Sequence, residues 1–135
     1  MRFVDTCTII DLQMPAGPWH QWAVAAVASA AAAGPVIINH VVLAELLSSP
    51  DPARARLHVD LLGLVVDPLD AEIAARAGAA QRLYRSRGGP RVAMIADFLI
   101  GAHAVVRAVP LITRDRQRFA RYFPELDLIA PEDHS

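Results

Sequence analysis

Arg2-Phe3-Val4-Asp5 opens the chain with a short apolar run that stops at a carboxylate, and the run from Val109 to Ile112 is followed in the same way by Thr113-Arg114-Asp115. Val36-Ile37-Ile38, Leu64-Val65-Val66 and Leu128-Ile129-Ala130 are of the same kind. Their residues are apolar in succession rather than in alternation, which is the pattern of strands covered on both faces, as in a parallel sheet. Helical stretches separate them. Trp19 to Ala33 closes at Gly34-Pro35, a helix from about Val41 to Ser49 takes Asn39 as its N-cap, and another runs from about Pro52 to Leu62. Asp70 caps a long helix with Ile73, Ala77, Ala80 and Tyr84 in one stripe, closed by Gly88-Gly89-Pro90, and two more helices span about Met94 to Arg107 and about Asp115 to Tyr122. This alternation predicts one α/β domain over residues 1–135, with its core over about 2–131. Its central, mainly parallel five-stranded sheet would be flanked by helices, with a site at the carboxyl ends of the strands.

Composition narrows the chemistry. With 54% hydrophobic and 20% charged residues, the 135-residue chain can build a packed core. A formal net charge of −1 excludes a nucleic-acid binder that works by bulk positive charge, so any such contact must be local. All 13 basic residues are arginine. The lack of lysine removes Schiff bases and P-loops, and with them receiver domains and haloacid-dehalogenase-like phosphatases, which also place an Asp at a strand end. The second of these further needs an Asp two residues after the first, where Cys7 stands. A single cysteine excludes an internal disulfide or a CxxC cluster and points to a reduced compartment, the cytoplasm. Trp19 to Ala33 is shorter than the roughly 20 residues of a membrane span, and Asp5 and Asp11 fall where a signal peptide would be basic and then apolar.

Four carboxylates stand among the wrong neighbours for solvated acids. Asp5 and Asp115 follow apolar strands, Glu45 is the only charge between Asp11 and Asp51, and Asp97 is the only one between Arg91 and Arg107. Burying an ionised carboxylate is costly without a cation, hydrogen bonds or protonation. Four acids on strand ends and facing helices suit a hard divalent ion, Mg²⁺ or Mn²⁺, which would turn a phosphate-repelling pocket into a phosphoryl-transfer site. The reading requires the acids to share one cation instead of each pairing with its own guanidinium. The alternatives are a plain helix cap for Asp97, an outward-turned or arginine-paired Glu45, and a solvated helix start for Asp115.

The chain resembles the PIN-domain ribonucleases and, among them, the VapC-type toxins of toxin-antitoxin pairs. The resemblance rests on Val4-Asp5-Thr6 with Ile9-Ile10-Asp11-Leu12, Val42-Leu43-Ala44-Glu45-Leu46, Ala96-Asp97-Phe98-Leu99-Ile100-Gly101-Ala102-His103-Ala104, and Leu111-Ile112-Thr113-Arg114-Asp115 with Phe119. It implies Asp5, Glu45, Asp97 and Asp115 as metal-binding and catalytic acids, with the Thr6 and Thr113 hydroxyls near the metal or its water. It also implies an endoribonuclease using a metal-activated water, a VapB-like antitoxin as partner, and a homodimer. Cys7 and His40 depart from the small hydroxyl residues frequent at those places. Two other readings are an RNA-processing PIN-like nuclease without an antitoxin and a catalytically inert PIN-fold binding module.

Arg114, Arg118 and Arg121 recur at helical spacing, and Arg82, Arg85, Arg87 and Arg91 form a second group. Either could hold an RNA backbone through bidentate contacts, with Arg114 and Arg118 the preferred phosphate ligands. His20, His40, His58, His103 and His134 show no paired ligand spacing, so they read as surface or packed residues. Asp11 reads as a supporting or solvated acid and Cys7 as a small buried hydrophobe. Trp22, Ala25, Ala28 and Ala32, with Leu46, Leu47 and Leu61-Leu62, offer a smooth apolar surface on which the resemblance would seat an antitoxin tail.

Overall fold

In this computed structural model, which describes residues 1–90 and 93–132, five parallel strands form one sheet in the order β3-β2-β1-β4-β5. The strands are β1 (Arg2–Val4), β2 (Val36–Ile38), β3 (Val65–Val66), β4 (Leu111–Ile112) and β5 (Leu128–Ile129). Phe3 lies in register with Ile37 on one side and Leu111 on the other, so β1 sits at the centre. β1 to β3 grow outward in one direction and β4 and β5 in the other. The order therefore reverses beside β1, and the crevice at the carboxyl ends of β1 and β4 is the switch point where such sheets bind ligands.

The helices among the described residues are α1 (Thr6–Leu12), α2 (His20–Ala33), α3 (His40–Leu47), α4 (Pro52–Leu61), α5 (Ala71–Ser86), α6 (Ala96–Arg107) and α7 (Arg116–Ala120). The expected caps are present: Asn39 Oδ1 accepts from Val42 N at 3.0 Å and Asp70 Oδ1 from Ile73 N at 2.9 Å. Sequence reading did not anticipate α1, whose β-branched Thr6, Thr8, Ile9 and Ile10 look strand-like. It becomes helical because the chain must leave the sheet at Asp5, and it buries Ile9 against α2 and α3. The last two helices are shorter than expected, starting at Ala96 and Arg116, and α7 ends at Ala120. β3, β4 and β5 are shorter than expected too, β4 covering only Leu111–Ile112 of the run from Val109. Val65 on β3 is 49% exposed, because an edge strand lacks the cover that the inner three receive.

Phe3, Ile37, Ile38, Ile100, Leu111, Ile112, Phe119 and Phe123 form the centre of the core. Gly101 lets α6 lie flush on the Phe123 ring, since a Cβ there would stand 2.5 Å from it.

A buried polar network ties α6 to the ends of β2 and β3. His103, with no exposed surface, places Nε2 2.6 Å from Asp67 Oδ2, while the Asn39 side-chain amide donates to its Nδ1 at 3.2 Å. That pattern assigns the proton of the neutral ring to Nε2. Arg107 Nε holds the same Asp67 oxygen at 2.7 Å. Burial pushes the His103 pKa below its ordinary value, against the opposing pull of Asp67. The hydrogen bond from His103 pulls the Asp67 pKa down. Unfolded histidine, at about 6.5, takes up a proton before folded His103 does, so this stability is complete above that pH and drains as pH falls below it. Asp67 adds a second loss below about 4. The urea midpoint is expected to fall between pH 7 and pH 5, and His103→Gln to flatten that slope. An equal slope in both proteins would remove His103 as its source.

Candidate active site

Asp5 continues the β1 ladder by one bond, its N–H donating to Ile112 O at 2.9 Å, and its carboxylate enters the crevice with 1% exposure. It occupies the N-cap position of α1 but makes no side-chain cap bond. Its Oδ2 instead accepts from Thr113 Oγ1 at 2.8 Å and from the Cys7 thiol at 3.1 Å. Both side-chain donors reach one oxygen, which holds the carboxylate and leaves Oδ1 without a side-chain donor among the described residues. Thr113, fully buried, also accepts from Asp115 N at 3.2 Å, so one hydroxyl ties the end of β4 to the acid after β1. Burial and the charge of Asp5 push the Cys7 thiol pKa up, which keeps it a donor.

Asp97 lies in the first turn of α6, two residues past Ile95, which holds the N-cap position. It is therefore not the N-cap residue of its helix. Burial raises its pKa; Arg118 opposes the rise, while Asp5, Glu45 and Asp115 add to it. Asp97 thus lies within the field of the other three acids. Asp115 does cap α7, its Oδ1 accepting from Arg118 N at 3.2 Å, so its local role is the ordinary one and its other oxygen faces the cluster. Glu45 is a correction to the expectation of a buried acid. It is exposed on α3, and it is held toward the site by Thr6 Oγ1, which donates to Oε1 at 2.8 Å.

A guanidinium stands among these acids. Arg118 Nε is 3.4 Å from Asp115 Oδ2 and 3.6 Å from Asp97 Oδ2, and Nη1 is 3.8 Å from Asp5 Oδ2. Among the described residues, no three carboxylate, imidazole or thiol side chains approach closely enough to enclose an ion as they stand. The donor set is nonetheless of the right type for a hard divalent cation: anionic oxygens, with two hydroxyls fixing the orientation of Asp5 and Glu45.

The basic residues are placed differently from the helical-face expectation. Arg114 precedes α7 and does not share a helix face with Arg118 and Arg121; its Nε lies 3.4 Å from Asp11 Oδ2. Asp11 itself is 7% exposed, and burial raises its pKa, so it is not the solvated acid that its sequence allows. Arg121 and Arg87 flank the Tyr122 ring at 5.7 Å each. Arg82 and Arg85 are exposed, whereas Arg91 and Val92, like His134, lie outside the described residues.

Two contributors were missed by sequence reading. Cys7, expected only to fill space, donates to Asp5; its position two residues past a strand-end acid was the available signal. Gln81, buried on α5, accepts from Ile95 N at 3.1 Å and so caps the entrance of α6, two residues before Asp97. Nothing in the local sequence marks it.

The model of the family described as PIN domain matches residues 2–123. Solved structures share the fold at low identity. VapBC2 from Rickettsia felis, bound to a promoter DNA fragment, aligns with TM-score 0.72 and 19% identity, over 97% of this chain and 98% of that one. VapBC-1 from nontypeable Haemophilus influenzae gives TM-score 0.72 and 19% identity over 96% of both chains. FitAcB from Neisseria gonorrhoeae gives TM-score 0.69 and 22% identity, again over 96% of both. No curated protein matches the chain.

Proposed function

The chain belongs to the PIN-domain family, and on that premise we propose that it is a divalent-metal-dependent endoribonuclease, the toxin of a toxin-antitoxin pair. The observation that carries the reading is the meeting of Asp5, Asp97 and Asp115 at the switch-point crevice, with Glu45 brought to its rim by Thr6. Those four acids would hold Mg²⁺ or Mn²⁺. Such an ion, when bound, supplies a Lewis acid that lowers the pKa of water and offsets charge on the phosphate. Thr113 and Cys7 hold Asp5, Thr6 holds Glu45, and Gln81 sets the start of the helix that bears Asp97. Arg114, at the exposed rim, is assigned to the RNA backbone together with Arg118.

The neighbouring structures are complexes, and the chain offers a surface of the right kind for such a partner. Leu12, Val24, Val27, Ala31, Leu61 and Leu62 line an apolar groove between α2 and α4, with Leu61 75% exposed. We assign it to the amphipathic segment of a VapB-like antitoxin. Of the residues expected there, Ala28, Leu61 and Leu62 are in the lining, while Leu46 is buried in the core. No helix among the described residues is long and apolar enough to cross a membrane; a cytoplasmic setting and a homodimer complete the proposal.

The test is cleavage of RNA by the purified protein. Cleavage with Mn²⁺ or Mg²⁺ is expected, with loss in EDTA and recovery when metal is restored. No cleavage at millimolar metal, or cleavage that persists in EDTA, would overturn the assignment. One observation favours the second reading, an inert PIN-fold module: a guanidinium already stands among the acids. Failure to bind Mn²⁺ would select it.

A further inference from the structure

Arg118 is the one cation within 4 Å of Asp5, Asp97 and Asp115 among the described residues. Its setting differs from that of the structural arginine Arg107, which donates at 2.7 Å to Asp67 and at 2.9 Å to Asp70. Arg118 sits 3.4 to 3.8 Å from its three acids and makes a hydrogen bond to none of them through its side chain. It is held by the summed field of the acids and not by directed bonds. Its side chain is 40% exposed, so solvent is open to it as the head group turns outward. Its backbone is fixed independently, because its own N–H is satisfied by Asp115 Oδ1. The head group is therefore displaceable while its anchor is not.

We infer that Arg118 is a built-in counter-ion of the acid pocket, which occupies the cation position in the metal-free protein and is displaced when a divalent ion enters. The inference rests on the metal reading of the four acids and adds a competition within it. Without a cation, carboxylates crowded into a crevice repel one another and destabilise the fold. A monovalent guanidinium offsets part of that repulsion, and a divalent ion offsets more at shorter range. The same group, once turned out, stands at the mouth of the pocket beside the acids, where a guanidinium meets the phosphate of an entering substrate. Metal affinity is thereby kept lower than the four acids alone would give, and an arginine is freed at the site as metal binds.

Calorimetric titration with Mn²⁺ tests this on the metal-free protein, with thermal midpoints measured before and after metal is added. Arg118→Gln is expected to bind Mn²⁺ about tenfold more tightly than the wild type, the size expected from removing one cation at ion-pair distance. Its metal-free midpoint falls and its metal-induced rise grows. Arg118→Lys, which retains the charge, stays near the wild type. Arg56→Gln removes the same charge from the exposed surface of α4 and controls for net charge. Equal or weaker binding by Arg118→Gln would overturn the inference and leave the metal reading standing, as would an equal gain in Arg56→Gln. No Mn²⁺ binding by either the wild type or Arg118→Gln would overturn both.

Discussion

Asp5→Asn is expected to lower RNA cleavage about 10²- to 10³-fold, corresponding to several kcal/mol of lost transition-state stabilisation. The substitution preserves shape. An amide oxygen in place of Oδ2 still accepts from Thr113, and the backbone bond to Ile112 O is untouched. The charge is lost, and one acceptor oxygen becomes an amide donor, at the most buried of the four acids, 1% exposed at the centre of the sheet. The fold is expected to stay intact in circular dichroism and the thermal midpoint to hold or rise, because Asp97 loses a like-charged neighbour. Cleavage near the wild-type rate with an intact fold would remove Asp5 from the chemistry, and with it the assignment of this acid cluster as the catalytic site.

Phe119→Ala carries the largest expected cost in stability, about 3–5 kcal/mol, since truncating a buried aromatic loses its burial and leaves a cavity. Domains of this kind hold only about 5–15 kcal/mol in total. Phe119 has no exposed surface and is the one buried residue of the five in α7. It is the pin that fixes a helix whose first turn is capped by Asp115 and whose third residue is Arg118. Urea denaturation should show the loss directly. Gln117→Ala, exposed on the same helix, is expected to change stability by less than about 0.5 kcal/mol. Similar losses in both variants would mean that α7 is held by something other than its phenylalanine.

The strand pattern was readable because it is local. An uninterrupted run such as Val36-Ile37-Ile38 needs cover on both faces whatever lies elsewhere in the chain, and the inner strands confirm it. The same logic overstated the lengths of β3, β4 and β5, most of all in the inner strand β4, where the run from Val109 shortens to Leu111–Ile112. Capping by Asn39 and Asp70 was readable for the same reason, since a cap acts over three residues. The length of α7 was not, since the helix ends at Ala120, four residues before Pro124, the nearest breaker in the sequence.

What the sequence determined by itself is therefore the parallel α/β layout and the delivery of Asp5 and Asp115 to adjacent strand ends. Those follow from short-range hydrophobic order and the sheet topology it permits. Only the tertiary structure decided how the charges are partnered: Glu45 on the surface but tied in by Thr6, Asp11 buried against Arg114, His103 locked between Asp67 and Asn39, and Arg118 among three acids. Such partnerships join residues far apart in the chain through long side chains with many rotamers. Which rotamer is populated depends on the field and free volume that the finished fold creates, and no local pattern encodes either.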